Sequence, residues 1–282
     1  MASGQSTISS SMQRISSLMG SAIVGRERVR RSEGFLAESL GSTAGRAWLH
    51  RVPGRRLSAA SGRPQSSLEG DVPVTMNGRG PAYRIHTERT VLRCWDPADA
   101  PLLKEAIDAS LDHLRPWMPW AENEPEDLPA KVARLRRFRA EFDVGQNFIH
   151  GIFDREERRV LGGTGLHLRV GPGALEIGYW IRADEINQGL ATEVAAALTR
   201  VAFEVEQVNR VEIRCDPANV RSAAVPRKLG FVHEATLRGN SPRADGTYRD
   251  TMVWALLKSE YPESPAARCV VEAFDALGHR IL

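Results

Sequence analysis

The chain has 282 residues, of which 42% are hydrophobic and 26% charged, and a formal net charge of +3. This length allows one full hydrophobic core with an appended segment, and no apolar run approaches the roughly 18 residues of a membrane span. The three cysteines lie far apart in the sequence, which predicts a cytoplasmic protein with no disulfide framework and no metal site.

The positive charge is concentrated at the N-terminus. Residues 1–70 contain ten Arg and four Glu, a balance of +6, which leaves −3 for the rest of the chain. A basic tail on a mildly acidic domain does not favour a nucleic-acid-binding core. Residues 1–80 are rich in Ser, Gly and Arg without a sustained hydrophobic period, which predicts a disordered leader. A transit peptide and a translation start at Met76 are the alternatives.

Ordered structure is predicted to begin near Tyr83. Alternating apolar residues predict a first strand over 89–94, and an Asp-Pro pair at 96 and 97 predicts the start of a helix over 97–112. Residues 126–143 predict a second, charged helix with one apolar stripe. Between the two helices, residues 114–120 hold two prolines and two tryptophans, which fit an aromatic plug as well as a binding surface.

A hairpin is predicted over 148–153 and 160–168, and a Gly-Pro-Gly turn then leads into a central strand. Apolar and other side chains alternate along that strand, which is the pattern of a half-buried strand. One set is Leu175, Ile177, Tyr179 and Ile181, and the other is Glu176, Gly178, Trp180 and Arg182.

A loop with Gly189 joins this strand to an amphipathic helix. The apolar stripe of that helix is Ala191, Ala195, Leu198, Ala202 and Val205. Gly189 lets a ligand approach the backbone closely, and the first N–H groups of the helix have no acceptor within it. Such a helix start suits a pyrophosphate, although many joints of this kind bind nothing.

Residues 210–231 predict a second strand that runs into a second helix ended by Gly230. Asn219 and Ser222 lie one helical turn apart and face the same side, where they also suit helix capping. Pro226 has no N–H to donate to the carbonyl of Ser222, so we predict a bent helix and another polar partner for that carbonyl. Two more strands, 234–238 and 247–257, and a short helix within 263–282 complete the prediction.

In this order, the motifs resemble those of the GCN5-related N-acetyltransferase (GNAT) superfamily, over residues 83–262. The segments that carry the resemblance, especially to the branch that acetylates ribosomal-protein N-termini, are Leu114-Arg-Pro-Trp-Met-Pro-Trp120, Glu176-Ile-Gly-Tyr-Trp180, Gly189-Leu-Ala-Thr-Glu193, Asn219-x-x-Ser222, Lys228-Leu-Gly-Phe231 and Tyr248-Arg-Asp250. The resemblance implies an α/β fold whose mostly antiparallel sheet of six to seven strands splays between its two central strands and is flanked by helices.

The resemblance also implies transfer of acetyl from acetyl-CoA to a primary amine, above all a protein N-terminus, by direct attack in a ternary complex without a metal. The cofactor-binding residues that it implies are Tyr179, Trp180, Ile181, Gln188, Gly189, Leu190, Ala191, Thr192, Asn219 and Ser222. Trp117 and Trp120 are implied to border the acceptor cleft. Ile186 stands where many members have Arg or Gln, so phosphate binding is expected to depend on backbone amides.

Ser222 is the predicted acid that protonates the CoA sulfur. Many members of the superfamily have a Tyr acid at the position of Pro226, and the ribosomal-protein branch uses Ser at position 222. Glu176 is the predicted base, acting directly or through water, with an ion pair to an arginine on a neighbouring strand as the alternative. A backbone N–H of residues 179–181 is the implied oxyanion donor.

Two other functions remain open at this stage. The first is acetylation of an antibiotic amine, which needs an acidic cleft to hold a polycation. Acidic residues that could furnish it are Glu122, Glu124, Glu126 and Asp127. The second is a sensor that holds acetyl-CoA while its basic tail contacts nucleic acid or a ribosome. A monomer and a homodimer are both compatible with the sequence.

Overall fold

A nine-stranded sheet forms the centre of the structure, a computed structural model that describes residues 80–243 and 246–282. The predicted leader at 1–80 lies outside the described residues except for its last residue. The strands are β1 (Arg84–His86), β2 (Val91–Cys94), β3 (Phe148–Phe153), β4 (Val160–His167), β5 (Ala174–Ile181), β6 (Arg210–Cys215), β7 (Val232–Pro242), β8 (Tyr248–Leu257) and β9 (Glu272–Phe274). Their order across the sheet is β7-β8-β6-β5-β4-β3-β2-β1-β9.

Five α-helices are present in the described ranges, and none has the length and apolarity needed to cross a lipid bilayer. They are α1 (Ala100–Asp108), α2 (Leu111–Leu114), α3 (Leu128–Asp143), α4 (Leu190–Arg200) and α5 (Val220–Lys228). The predicted helix start at Asp96 is confirmed, since its side chain accepts the N–H of Ala98 at 2.8 Å. The helix predicted over 97–112 is divided, with a 3-10 turn at Pro97–Asp99 and a break after Asp108.

The main hydrophobic core lies between α4 and the sheet. Ala195, Leu198, Ala202 and Val205 of the predicted stripe are at most 2% exposed and pack with Leu175 and Ile177 of β5, whereas Ala191 is half-buried. The helical path continues beyond α4 as a π-helical turn at Val201–Val205. The apolar periodicity of this segment therefore predicted its buried face correctly.

The other face of β5 is more buried than the alternating pattern predicted. Glu176 and Arg182 are only 4% and 7% exposed. Glu176 pairs with Arg169 and Arg182 pairs with Glu105 of α1. A second hydrophobic cluster also lies on this side of the sheet, with Trp95, Leu103 and Leu135 among its members and Trp180 packed against it. Helices α1 and α3 supply part of this cluster, so the face predicted to be open to solvent is partly covered.

The C-terminal helix predicted within 263–282 is wrong. The segment forms 3-10 turns at Tyr261–Glu263 and Pro265–Arg268, and then β9, which pairs antiparallel with β1. Burial alternates here as in a strand, with Val271 and Ala273 buried, whereas Val270 is 81% exposed. The short edge strands β1 and β9 raise the strand number from the expected six or seven to nine.

The predicted splay between the two central strands is confirmed. β5 and β6 are the only parallel neighbours in the described sheet, and they pair from Ala174 with Arg210 to Ile177 with Ile213. β5 continues to Ile181 and stays paired with β4 along this stretch. The gap that opens beyond Ile177 positions the candidate site.

Candidate active site

Two cavities meet at the gap between β5 and β6. The smaller, of about 410 Å³, is lined by the loop before α4 and by the first turns of α5. The larger, of about 740 Å³, lies over the sheet face that carries Glu176 and Gly178. The residues that line both cavities are Trp117, Met118, Tyr179, Trp180, Asn219 and Ser222. Predicted cofactor-binding and acceptor-binding residues therefore share one wall.

The loop before α4 has the backbone that the sequence predicted. Gly189 precedes the helix in the left-handed region, with φ +83° and ψ 0°, where a residue without Cβ is favoured. The N–H of Thr192 already donates to the carbonyl of Gly189 at 3.0 Å. The N–H groups of Leu190 and Ala191, at the start of the helix, have no acceptor within it and lie at the smaller cavity.

Arg89, in the turn between β1 and β2, binds this loop through hydrogen bonds, a role that the sequence did not predict. Its Nη1 donates to the carbonyl of Gln188 at 2.8 Å, and its Nε donates to Glu193 at 2.6 Å. The side chain of Gln188 donates to Glu185 at 3.0 Å, and Gln188 is not among the residues that line either cavity. A direct cofactor contact by its side chain is therefore not supported.

Tyr179 on β5 contacts Ser222 in the first turn of α5. Its hydroxyl donates to the carbonyl oxygen of Ser222 at 3.3 Å and lies 3.2 Å from the Ser222 Oγ. Pro226 lies within α5, so the polar partner predicted for this carbonyl is confirmed as Tyr179. Burial raises the pKa of the Tyr179 hydroxyl, which therefore remains protonated at neutral pH.

Asn219 is the N-cap of α5. Its Oδ1 accepts the N–H of Ser222 at 3.1 Å, so the capping interpretation of this pair is confirmed. Capping does not remove the two residues from the site, because both also line both cavities.

Glu176 is held in an ion pair. Its Oε2 accepts a hydrogen bond from Nε of Arg169 at 2.8 Å, and its other oxygen accepts one from Nη2 of the same guanidinium. The Nε of Arg214, on the neighbouring strand β6, lies 3.8 Å from Oε2. The hydrogen bonds to Glu176 raise the pKa of Arg169, which favours the charged pair. The ion-pair alternative is thus present, and the role of Glu176 as a base stays a prediction.

The two tryptophans predicted at the acceptor cleft both line the larger cavity. Trp117 is part of the wall shared by both cavities, whereas Trp120 lines the larger one alone. Trp120 contacts Trp180 edge to face, with 6.0 Å between ring centroids, and packs against the second hydrophobic cluster. It therefore combines the core-packing and cavity-lining roles that the sequence left open.

The acidic residues after the tryptophans do not form an open acidic cleft. Glu124 is 4% exposed and pairs with the buried Lys131 and, at 3.0 Å, with Arg134. Glu126 lies 2.6 Å from Arg134, and Asp127 accepts the N–H of Ala130 as the N-cap of α3. The charged residues that do line the larger cavity are Arg134, Arg137, Arg169, Arg214, Arg249, Glu176 and Asp216. Arginines predominate in this lining.

Comparison with known proteins agrees with this geometry. A family model described as an acetyltransferase (GNAT) domain matches residues 89–232, just over half of the chain. Ribosomal protein uS5-alanine N-acetyltransferase of Escherichia coli (strain K12) is 26% identical over 186 residues, covering 64% of this chain and 94% of that protein. Uncharacterized N-acetyltransferase p20 of Bacillus licheniformis is 30% identical over 180 residues, covering 63% and 97%.

A solved structure of Mycobacterium smegmatis RimJ in complex with CoA-disulfide has a similar fold. It is 26% identical, with a TM-score of 0.55 over 67% of this chain and 91% of that one. The resemblance to the ribosomal-protein branch that the motifs indicated is therefore confirmed by both sequence and structure comparisons.

Proposed function

This chain belongs to the GNAT acetyltransferase family, and we propose that it transfers acetyl from acetyl-CoA to the amine of a protein N-terminus in a ternary complex. The observation that carries the proposal is the wall shared by the two cavities at the splay. A donor in one cavity and an acceptor in the other would meet at Tyr179 and Ser222. The relatives named as ribosomal-protein acetyltransferases support an N-terminal acceptor.

The smaller cavity suits the cofactor. Phosphate groups would lie at the N–H groups of Leu190 and Ala191, where the helix start favours an anion. Pantetheine would extend along residues 179–181, which β6 leaves unpaired beyond Ile177. One backbone N–H of that stretch would receive the developing oxyanion, an interaction that contributes several kcal/mol in acyl transfer.

Ser222 is the acid in this proposal. As the amine attacks the thioester carbonyl and the C–S bond breaks, the Ser222 hydroxyl would donate a proton to the departing sulfur. Its position is set by the cap at Asn219 and by the hydroxyl of Tyr179. Both contacts come from groups that also line the cavities, so the acid would be held at the junction of donor and acceptor.

The lining of the larger cavity supports an N-terminal amine over a polycation. Five arginines and two carboxylates line this cavity, and although Arg134, Arg137, Arg169 and Arg214 are in ion pairs, the positive balance disfavours a second and third positive charge on an acceptor. The same balance favours the neutral, nucleophilic form of a single amine. The acids that an antibiotic site would need are partly used within the fold, by Lys131, Arg134 and the cap of α3. A polyamine acceptor is therefore the weaker candidate.

The test is release of CoA from acetyl-CoA by the full chain, followed with a thiol reagent. The acceptor panel contains peptides with free N-termini, the same peptides with acetylated N-termini as the control, and small polyamines. Turnover that requires a free N-terminus supports the proposal, and turnover with polyamines alone contradicts it. Acetyl-CoA binding without turnover on any acceptor would favour the sensor. The domain limits 83–262, the cytoplasmic location and the monomeric or dimeric state stay predictions.

A further inference from the structure

His167, the last residue of β4, lies directly opposite Glu176 on β5 and lines the larger cavity. Its imidazole lies across two glycines of the sheet. A Cβ placed on Gly178 would be 2.9 Å from Nε2, and one placed on Gly165 would be 3.2 Å from Cε1. Glycine at both positions therefore leaves room for the ring. Nε2 lies over Gly178, the first residue of β5 beyond its last pair with β6.

The protonated nitrogen of this imidazole is identified by its neighbours. Nδ1 lies 2.7 Å from Oδ1 of Asn147, and Nδ2 of Asn147 donates to Glu141 at 3.3 Å. Because the amide nitrogen is directed at a carboxylate, the amide oxygen faces the ring, and Nδ1 must be the donor. Nε2 then carries the lone pair, and no hydrogen-bond partner for it exists among residues 80–243 and 246–282.

The charge state agrees with this tautomer. Burial lowers the pKa of His167 to about 4. Of the charged and titratable groups that face it, Arg169 and His150 lower this pKa further, and Glu176 raises it. The imidazole is therefore neutral near pH 7, with the lone pair of Nε2 unprotonated, and burial opposes its charged form. Glu176, in contrast, already accepts hydrogen bonds from Arg169 with both oxygens.

We propose that His167 is the general base of the transfer and that Asn147 is its positioning residue. The inference rests on the proposed function. The amine nitrogen forms a bond to the thioester carbonyl carbon, and the C–S bond breaks. The amine proton passes to Nε2, and the sulfur takes the proton of Ser222. Solvent in the larger cavity then carries the proton from the imidazolium to the Ser222 oxygen, which restores both groups.

The first test compares His167→Gln with the unaltered protein on a peptide acceptor. His167→Gln is expected to lower kcat/KM by about 100- to 1,000-fold, the usual contribution of a general base, with acetyl-CoA affinity within about twofold of the unaltered protein. The control is His279→Gln, at a residue with a 73% exposed side chain outside both cavities, which should retain full activity. Retention of more than a third of kcat/KM by folded His167→Gln would overturn the proposal.

Two further measurements separate a base from a merely structural residue. Added imidazole should raise the turnover of His167→Ala at least about tenfold, in proportion to its neutral fraction as pH changes. In the unaltered protein, ¹⁵N chemical shifts should place the proton of His167 on Nδ1, and a proton on Nε2 would overturn the proposal whether or not the variants fold. Failure of the unaltered protein to acetylate any amine would instead overturn the proposed function, and this inference with it.

Discussion

The hydroxyl of Tyr179 donates to the carbonyl oxygen of Ser222 at 3.3 Å, across the gap where β5 and β6 part. This carbonyl lies four residues before Pro226, which has no N–H to offer it. Because Pro226 cannot form this helical hydrogen bond, the carbonyl of Ser222 is left to accept a hydrogen bond from the strand. The same contact holds the predicted acid at the wall between the two cavities.

Tyr179→Phe should destabilise the fold by about 1 kcal/mol, because it removes the hydrogen bond to a part-buried carbonyl. In a Pro226→Ala background the loss should be smaller by half or more, since the new N–H can reach the carbonyl of Ser222. Urea unfolding of the four proteins of this cycle measures the coupling. Equal losses in both backgrounds would show that the bond to the carbonyl contributes nothing.

Ser222→Ala should lower kcat about 100-fold or more while the affinity for acetyl-CoA stays the same, because a proton donor acts only as the C–S bond breaks. Steady-state kinetics and calorimetric titration measure the two quantities. The matched control is Ser259→Ala, at an exposed serine outside both cavities. Unchanged kcat in Ser222→Ala would remove this residue from the mechanism.

Gly189→Ala should weaken acetyl-CoA binding about tenfold, because a Cβ at this left-handed position disturbs the backbone that presents N–H groups to the phosphates. A tenfold change corresponds to about 1.4 kcal/mol of binding free energy. Gly145 offers a matched control, because both glycines are in the left-handed region, with φ +83° and +71°. Neither position is crowded, since the nearest atom to an added Cβ is 3.6 Å away at Gly189 and none lies within 4 Å at Gly145.

Both substitutions should therefore cost about 1 kcal/mol of stability, and only Gly189→Ala should change the calorimetric affinity for acetyl-CoA. Equal affinities of the two variants for acetyl-CoA would show that the conformation at Gly189 does not affect cofactor binding.

Glu206→Gln should stabilise the protein at pH 8 and have little effect at pH 5. Glu206 is 6% exposed, and burial raises its pKa from 4.5 to about 7. Between these values the folded state keeps a proton that the unfolded state has lost, so the free energy of unfolding falls as pH rises from about 4.5 to about 7 and is fully reduced above 7. The amide removes this penalty, which we expect to be on the order of 2–3 kcal/mol.

Urea unfolding at both pH values gives the comparison for Glu206→Gln, with Glu263→Gln, at an exposed carboxylate, as the control. The buried His150, whose pKa burial lowers to about 4, has the opposite effect, because stability is lost as pH falls from about 6.5 towards 4. This effect is present in both proteins and cancels in their difference. A gain from Glu206→Gln that is equal at both pH values would contradict the assignment.

The sequence by itself determined the features that depend on near neighbours in the chain. The alternation along β5, the stripe of α4, the glycine before α4 and the cap at Asn219 each involve residues within a few positions of one another. Strand and helix periods and hydrogen bonds within one turn are local, so they can be predicted from spacing alone. Even the partner for the Ser222 carbonyl was required by Pro226, although its identity was not.

Only the tertiary structure decided which distant residues meet. Arg89 contacts the loop from 99 positions away, Asn147 orients His167 from 20, and β9 pairs with β1 at the opposite end of the described chain. The approach of Arg214 to Glu176 likewise depends on the pairing of β5 with β6. These contacts follow from how strands align and layers pack. The identity of a side chain and its position in the sequence do not reveal which distant residue it will contact.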